Sequence, residues 1–220
     1  NNYTMKNTFT IILVFLLALI GCNDDFLDTS PESTLAKDNF FNSESDLQLY
    51  INGLHSLPGY GMFLSDQGTD DMATTGAVEI KNITIGSPSA ENISSGWTWT
   101  RLRSINFFLE NFGKADIEED AKRHFEGLGK YYRAEFYFDK VKRYSDVPWY
   151  SKTLDPEDES LFKPRDPRAM VMDSIISDIQ YASQHIREDV SYGNIDKWSA
   201  LMLQARIALY EGTYRKYHPE

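Results

Sequence analysis

Two tryptophans, Trp97 and Trp99, stand at the end of a long glycine-rich segment that also carries Asp66, Asp70 and Asp71. Sugars present apolar C–H faces edged by hydroxyl groups, so a carbohydrate site needs aromatic rings for stacking and polar side chains for hydrogen bonds. Residues two positions apart share one face of an extended chain. These five residues are therefore the candidate ligand-binding residues, with the alternative that one or both tryptophans pack into the core.

The residue patterns of common catalytic sites are absent from the sequence. The four histidines are scattered, without an HExxH motif or the spacing of metal ligands. No GxSxG motif occurs, and the Gly-Lys pairs at 113 and 129 lack the rest of a phosphate-binding loop. Because carboxylates are abundant, a glycoside hydrolase is kept as a weaker alternative. We expect no catalytic residues, no metal and no cofactor.

The only cysteine, Cys22, directly follows an apolar run. Lys6 precedes this run, and the residues 19–22 (LIGC) match a lipobox, whose cysteine is lipidated after cleavage. The twelve residues 9–20 would span about 18 Å as a helix, against roughly 30 Å of bilayer hydrocarbon. Residues 1–21 are therefore predicted to be upstream residues and a lipoprotein signal peptide, and a lipid on Cys22 is the only expected membrane attachment.

The charge and composition of the chain restrict its partners. The formal net charge is −11, which disfavours nucleic acid and anionic membrane surfaces and suits neutral ligands, cations or a protein partner. With 41% hydrophobic and 14% aromatic residues, the chain can bury a sizeable core. We predict an acidic tether over residues 22–36 and one folded domain over residues 37–220.

Apolar residues recur at three- and four-residue spacing in five segments, which predicts amphipathic α-helices. These segments cover residues 43–57, where Pro58-Gly59 ends the helix, 99–113, 118–144, 172–186 and 198–209. Ser43 and Asp46 resemble a helix N-cap with an acidic first turn. The stretch 59–96 has no such periodicity. The pattern predicts an all-α protein of tetratricopeptide-like stacked helical hairpins with long irregular loops.

Aromatic and charged residues inside the predicted helices are interpreted as structural. The aromatic residues of the third helix must point in several directions, which favours core packing over a stacking platform; they are Tyr131, Tyr132, Phe136, Tyr137 and Phe138. Several charged residues are interpreted as bridges between helices, namely Arg133, Glu135, Arg101, Arg103 and Arg206. In the last helix, one apolar face comprises Trp198, Leu201, Ala205, Ala208 and Leu209. Small residues of this helix are expected to allow close approach of a neighbour, namely Ala200, Ala205, Ala208 and Gly212.

Four separated blocks of the sequence resemble the SusD/RagB family of outer-membrane nutrient-binding lipoproteins of Bacteroidetes. They are WTWTRLRSINFFLE (97–110), YRAEFYF (132–138) leading into YSDVP (144–148), PRDPR (164–168) with MDSI (172–175), and WSA (198–200) through ARIALYEGT (205–213). At Ser145 the family usually has glycine, so the resemblance leaves the geometry of that turn open.

The resemblance implies a helical scaffold that binds a glycan or another nutrient outside the cell. It also implies a surface-exposed lipoprotein of the outer membrane that delivers oligosaccharide to a SusC-like TonB-dependent transporter, and a chain whose C-terminal family portion is missing here. A protein-interaction lid or adhesion lipoprotein without a glycan site is the main alternative. Exposure of Trp97 and Trp99 on a common face would favour glycan capture, whereas burial of both would favour the alternative.

Overall fold

In the computed structural model, the residues described are 40–55, 72, 79–89, 91–93 and 95–218. Their α-helices are α1 (Glu44–Leu54), α2 (Glu79–Thr84), α3 (Thr100–Asn111), α4 (Glu119–Tyr144), α5 (Arg168–His185) and α6 (Lys197–Tyr217). Short 3-10 helices cover Phe112–Lys114 and Glu159–Phe162. The ranges just given contain no β-strand, only an isolated bridge between Val147 and Asp166. The all-α prediction is confirmed.

Several predictions concern residues outside these ranges. Cys22, Asp66, Asp70 and Asp71 are among them, as are the predicted signal peptide 1–21 and the tether 22–36. Among the helices that are described, none is long and apolar enough to cross a lipid bilayer.

Helix α1 begins with the capping arrangement that the sequence predicts. The Ser43 hydroxyl accepts a hydrogen bond from the Asp46 N–H at 3.3 Å, and the Asp46 carboxylate accepts one from the Ser43 N–H at 3.0 Å. The two bonds satisfy backbone groups that the first turn leaves unpaired. The N-cap prediction is confirmed, and α1 buries Leu47, Ile51 and Leu54.

Helix α4 is the centre of the fold, because α1, α3 and α5 all pack against it, whereas α6 packs mainly on α5. The five aromatic side chains predicted to lie in the core are all buried, with exposed fractions between 0% and 8%. The Tyr137 hydroxyl donates to the Pro148 carbonyl at 3.2 Å and accepts from the Tyr150 N–H at 2.6 Å. It thereby ties the segment after α4 back onto the middle of the helix.

Ion pairs join successive helices. Arg133 on α4 makes two hydrogen bonds to Asp178 on α5, with distances of 2.6 and 2.8 Å. Arg168 at the start of α5 pairs with Glu211 on α6, and both side chains are buried. A third pair, between α3 and α4, is half-buried and joins Arg101 to Glu135 at 2.6 Å. These pairs confirm a structural role for Arg133, Glu135 and Arg101.

Helix α6 packs with a different face from the one predicted. Its buried residues are Ala200, Leu203, Ile207 and Glu211, so the close approach predicted at Ala200 is confirmed. The predicted apolar face and Gly212 are exposed; the face comprises Trp198, Leu201, Ala205, Ala208 and Leu209. Arg206 is also exposed and forms no ion pair with a described residue, so its predicted bridging role is wrong. Both faces of α6 are apolar, and periodicity alone could not indicate which of them would meet α5.

Helix α4 has a close contact with α3 at Gly129 and a positive φ at its C-cap residue, Ser145. Helices α3 and α4 approach closely at Gly129, where a Cβ atom would lie 2.6 Å from Leu109 Cδ2 and 3.0 Å from Phe108 Cδ1. Helix α4 ends at Tyr144. The C-cap residue that follows, Ser145, has a φ of 61° and a ψ of −98°, which place a non-glycine residue in a region that glycine favours. A glycine, which the family resemblance implies at this position, would adopt this turn conformation with less strain.

Candidate ligand-binding groove

The segment that carries Trp97 is fixed by the C-terminal end of α4. The Lys140 ammonium donates a hydrogen bond to the Gly96 carbonyl, and the Tyr144 hydroxyl donates one to the Ser95 carbonyl. Arg143 Nη2 donates to Ser95 Oγ at 2.9 Å. Gly96 has a φ of +84°, which allows the chain to turn over these side chains. Burial lowers the pKa of Lys140, but its ammonium keeps this carbonyl partner.

The two tryptophans lie against each other but have different surroundings. Their ring centroids are 5.2 Å apart at an interplanar angle of 85°. The Trp97 ring also meets Tyr144 edge to face at 4.7 Å, and 37% of Trp97 remains exposed. Trp99 is half-buried, with its ring 5.7 Å from Phe136 and 5.9 Å from Tyr150. Trp97 is therefore available to a ligand, while Trp99 chiefly packs on the core and supports its neighbour.

An open groove of about 770 Å³ lies beside Trp97. Its lining comes from three parts of the chain: Ile83, Pro88, Ser89, Ile93, Trp97, Arg143, Tyr144 and Arg165. The volume is within the range of small-molecule sites, and the lining combines aliphatic, aromatic and hydrogen-bonding groups. Such a surface suits a ligand that has both apolar faces and polar edges.

The two arginines of the groove differ in their partners. Arg143 forms an ion pair with Glu79 on α2 and donates a 3.2 Å hydrogen bond to the Tyr144 hydroxyl. Arg165 is exposed, and its guanidinium carbon lies 4.7 Å from the centroid of the Trp97 ring. Within the described part of the chain, Arg165 makes no hydrogen bond or ion pair. Its donors therefore remain available to a ligand.

Sequence reasoning did not single out the groove residues other than Trp97. Tyr144 ends α4 and Arg165 precedes α5, so their meeting with Trp97 depends on how the helices pack. No spacing in the sequence indicates this meeting. The acidic candidates Asp66, Asp70 and Asp71 belong to the part of the chain that is not described, so their role stays a prediction.

A second cavity, of about 330 Å³, lies between α1, α4 and the loop before α6, with His55, His124 and Tyr132 in its lining. The Arg187 N–H donates to His124 Nδ1 at 3.1 Å, and His55 Nδ1 lies 3.1 Å from the Tyr132 hydroxyl. Burial, reinforced by the charge of Arg187, lowers the pKa of His124 to about 4, so this imidazole is neutral at pH 7.

In the ranges that the structure describes, no group of three or more His, Cys, Asp or Glu side chains could hold a metal ion. His124 and His55 are engaged with a backbone N–H and with a tyrosine hydroxyl.

An all-α fold of packed helical hairpins, with an aromatic groove at the C-terminal end of α4, defines a helical scaffold with a candidate small-ligand site. A family model described as "Starch-binding associating with outer membrane" matches residues 25–209. The chain belongs to this SusD-like family.

Individual relatives agree with the family assignment. SusD-like protein P25 of Formosa agariphila is 26% identical over an alignment of 235 positions, which covers 96% of this chain and 44% of that protein. A SusD-like protein of Bacteroides fragilis has a crystal structure with a TM-score of 0.67 and 26% identity, covering 84% of this chain and 38% of that one. A structure named laminarin-binding SusD-like protein shares the fold at a TM-score of 0.59 and 18% identity, covering 80% and 42%.

The chain spans less than half the length of these relatives. The similarity covers nearly all of this chain in the first comparison. The family and the fold are therefore those of almost the whole of this chain.

Proposed function

We propose that this protein captures a glycan in the groove beside Trp97 at the cell surface, without chemically changing it. The main observation in support is that Trp97 is 37% exposed and lines an open groove. It lies there next to the hydroxyl of Tyr144 and to Arg165, whose N–H donors are unused by the described residues. Family membership supports the ligand class, since the matching family model is described as starch-binding. So does the fold shared with a relative that is named for laminarin binding.

Each groove residue has a distinct part in this proposal. Trp97 offers an apolar ring face or edge to the C–H face of a sugar. Arg165 and Ser89 provide hydrogen-bonding groups for hydroxyls around the ring. Trp99 acts indirectly, because its edge-to-face contact holds Trp97 in place. The acidic residues of the preceding segment, Asp66, Asp70 and Asp71, are proposed as further hydrogen-bond acceptors.

The proposed setting is the outer surface of the outer membrane. Cys22 would carry the lipid that attaches the protein, and the bound oligosaccharide would pass to a SusC-like TonB-dependent transporter. The description of the family as associated with the outer membrane supports this location. The lipobox at 19–22 supports the mode of attachment.

Glycan binding is tested by affinity gel electrophoresis of the protein in gels that contain laminarin, starch or other polysaccharides. For a polysaccharide that retards the protein, Trp97→Ala should weaken retention about tenfold or more, because the exposed ring is lost. Trp198→Ala is the matched control, since Trp198 is 60% exposed on α6 and does not line the groove. Equal retention of both variants would remove Trp97 from the site, and mobility unchanged by every glycan would contradict the proposal.

Lipid attachment is tested separately. Cys22→Ala should release the protein from the outer-membrane fraction, because the thiol that receives the lipid is gone. Unchanged membrane association of this variant would refute the anchor. Co-purification of the wild-type protein with a TonB-dependent transporter from solubilised membranes would support the proposed partner.

One observation favours the alternative function, a lid or adhesion subunit that binds only protein. The outer face of α6 exposes large apolar side chains, among them Trp198 (60%), Met202 (69%) and Leu209 (74%). Contiguous exposed apolar surface is typical of protein contacts. This alternative predicts no retention in any glycan gel, together with loss of transporter co-purification when Leu209 is changed to Asp.

A further inference from the structure

The groove beside Trp97 carries positive charge that the described protein does not neutralise. From this we propose that the captured glycan is anionic, bearing carboxylate or sulfate ester groups that pair with Arg165. The inference rests on the proposed function of the groove and specifies the chemical class of its ligand.

Among the residues that the structure describes, the lining of the groove contains two guanidinium groups and no carboxylate. Arg143 is engaged by Glu79 and by Ser95, so its charge is compensated inside the protein. Arg165 is exposed, and among the described residues its only close interaction is with the Trp97 ring. An arginine without an internal counterion in a binding groove is suited to a ligand that brings the counterion.

The chemistry of the guanidinium group favours oxyanions. Its planar fork of N–H donors matches the two oxygens of a carboxylate or of a sulfate ester, and such charge-assisted hydrogen bonds are stronger than neutral ones. A neutral sugar would use the same donors only for ordinary hydrogen bonds to hydroxyls. The same side chain therefore distinguishes acidic from neutral glycans by binding energy.

The geometry places ring recognition and charge recognition side by side. The Arg165 guanidinium carbon lies 4.7 Å from the centroid of the Trp97 ring. Because Arg165 is exposed, it can move off the ring when a sugar stacks there and then pair with an acidic group on the same sugar or the next one. A pyranose that packs on Trp97 therefore brings its substituents within reach of the guanidinium.

The negative net charge of the protein means that a preference for acidic glycans would indicate a local positive group in the groove. With a formal net charge of −11, the protein repels anionic polymers at long range and offers no general attraction to them. Tighter binding of an acidic polysaccharide than of its neutral counterpart must therefore come from a local group. Arg165 is the groove residue that can supply it.

The test uses matched pairs of polysaccharides that differ in charge. Polygalacturonate is compared with its methyl ester, and a sulfated carrageenan with agarose; laminarin and starch serve as neutral glycans. The purified protein should bind at least one acidic polymer about tenfold more tightly than its neutral counterpart. The acidic polymer that shows the difference tells a carboxylate ligand from a sulfate ester.

Three variants test whether Arg165 causes the preference for acidic polysaccharides. Arg165→Gln should lower affinity for the acidic polymer about tenfold, equivalent to about 1.4 kcal/mol, and change affinity for any neutral polymer less than twofold. Arg165→Lys should keep part of the preference, because it retains the charge and loses the fork. Arg206→Gln is the matched control, an exposed arginine of α6 outside the groove, and should behave as wild type.

The binding results distinguish a failure of the anionic-ligand proposal from a failure of glycan capture itself. Equal binding of acidic and neutral polymers, or an acidic preference that survives Arg165→Gln, overturns the anionic ligand and leaves glycan capture intact. Binding of neutral glycans alone does the same. Absence of binding to every polymer in the panel overturns both.

Discussion

Because α3 and α4 approach closely at Gly129, we expect Gly129→Ala to change the free energy of unfolding by an amount that can be calculated. The added Cβ atom would lie 2.6 Å from Leu109 Cδ2, 3.0 Å from Leu109 Cγ and 3.0 Å from Phe108 Cδ1. Leu109 is half-buried and can adjust, but Phe108 is 0% exposed and is enclosed on all sides. The two helices must therefore separate slightly or the phenylalanine must leave its preferred rotamer.

Two opposing contributions determine the free energy of unfolding of this variant. Extra atoms in a packed core destabilise by about 1–3 kcal/mol, whereas alanine is preferred over glycine inside a helix by about 1 kcal/mol. Gly212→Ala on α6 isolates the second contribution, because nothing lies within 4 Å of its added Cβ atom. Gly212→Ala should therefore stabilise by about 0.5–1 kcal/mol, and the two variants should differ by about 1–3 kcal/mol.

The assay is urea unfolding followed by far-UV circular dichroism, with thermal unfolding as a second measure. For a domain of this size, each kcal/mol should shift Tm by roughly 2–4 °C. Because α3 begins beside Trp99 and α4 ends at Tyr144, separation of the helices should also weaken retention in the glycan gels. If Gly129→Ala were as stable as Gly212→Ala, the steric reasoning would be refuted.

Two further predictions follow from His124 and Ser145. Because burial lowers the pKa of His124 from 6.5 to about 4, folding favours the neutral imidazole. The contribution of the neutral His124 to the free energy of unfolding should therefore be fully present above pH 6.5 and decrease as the pH falls toward 4, by about 2 kcal/mol at pH 5. Urea unfolding at pH 7 and pH 5 measures this decrease. His124→Gln should reduce the difference between the two pH values. Ser145→Gly should raise the free energy of unfolding by about 1 kcal/mol, because it relieves the backbone conformation at φ 61°; a decrease in Tm would contradict this reading of the turn.

Local patterns in the sequence were sufficient for most of the fold. The periodicity over residues 118–144 predicted a helix that the structure places at Glu119–Tyr144, because a long stripe of apolar residues can be buried in only one regular way. The N-cap at Ser43 and the burial of the five aromatics of α4 were predicted for similarly local reasons. The packing face of α6 was not predicted, because apolar residues occur on both faces of this helix. Which face is buried depends on the position of α5.

The groove was only partly predictable. Trp97 was identified because it closes the glycine-rich segment and its ring could stack on a sugar, with core packing as the alternative. Its partners Tyr144 and Arg165 lie far from it in the sequence, and they meet it only through the path of α4 and the loop before α5. Nothing in residue spacing encodes such a meeting, which is a property of tertiary packing.

The buried pairs Arg133–Asp178 and Arg168–Glu211 bear on how the helices find their correct neighbours. The apolar ridges of stacked hairpins are much alike, so a helix could settle against the wrong partner with little loss of hydrophobic contact. A buried guanidinium meets its counterion in only one arrangement, and leaving it unmatched would cost about 3–5 kcal/mol. We infer that the pairs select helix order more than they add stability. Replacing all four residues by apolar ones should leave the melting temperature nearly unchanged yet produce several sets of backbone NMR signals; a single sharp set would contradict this role.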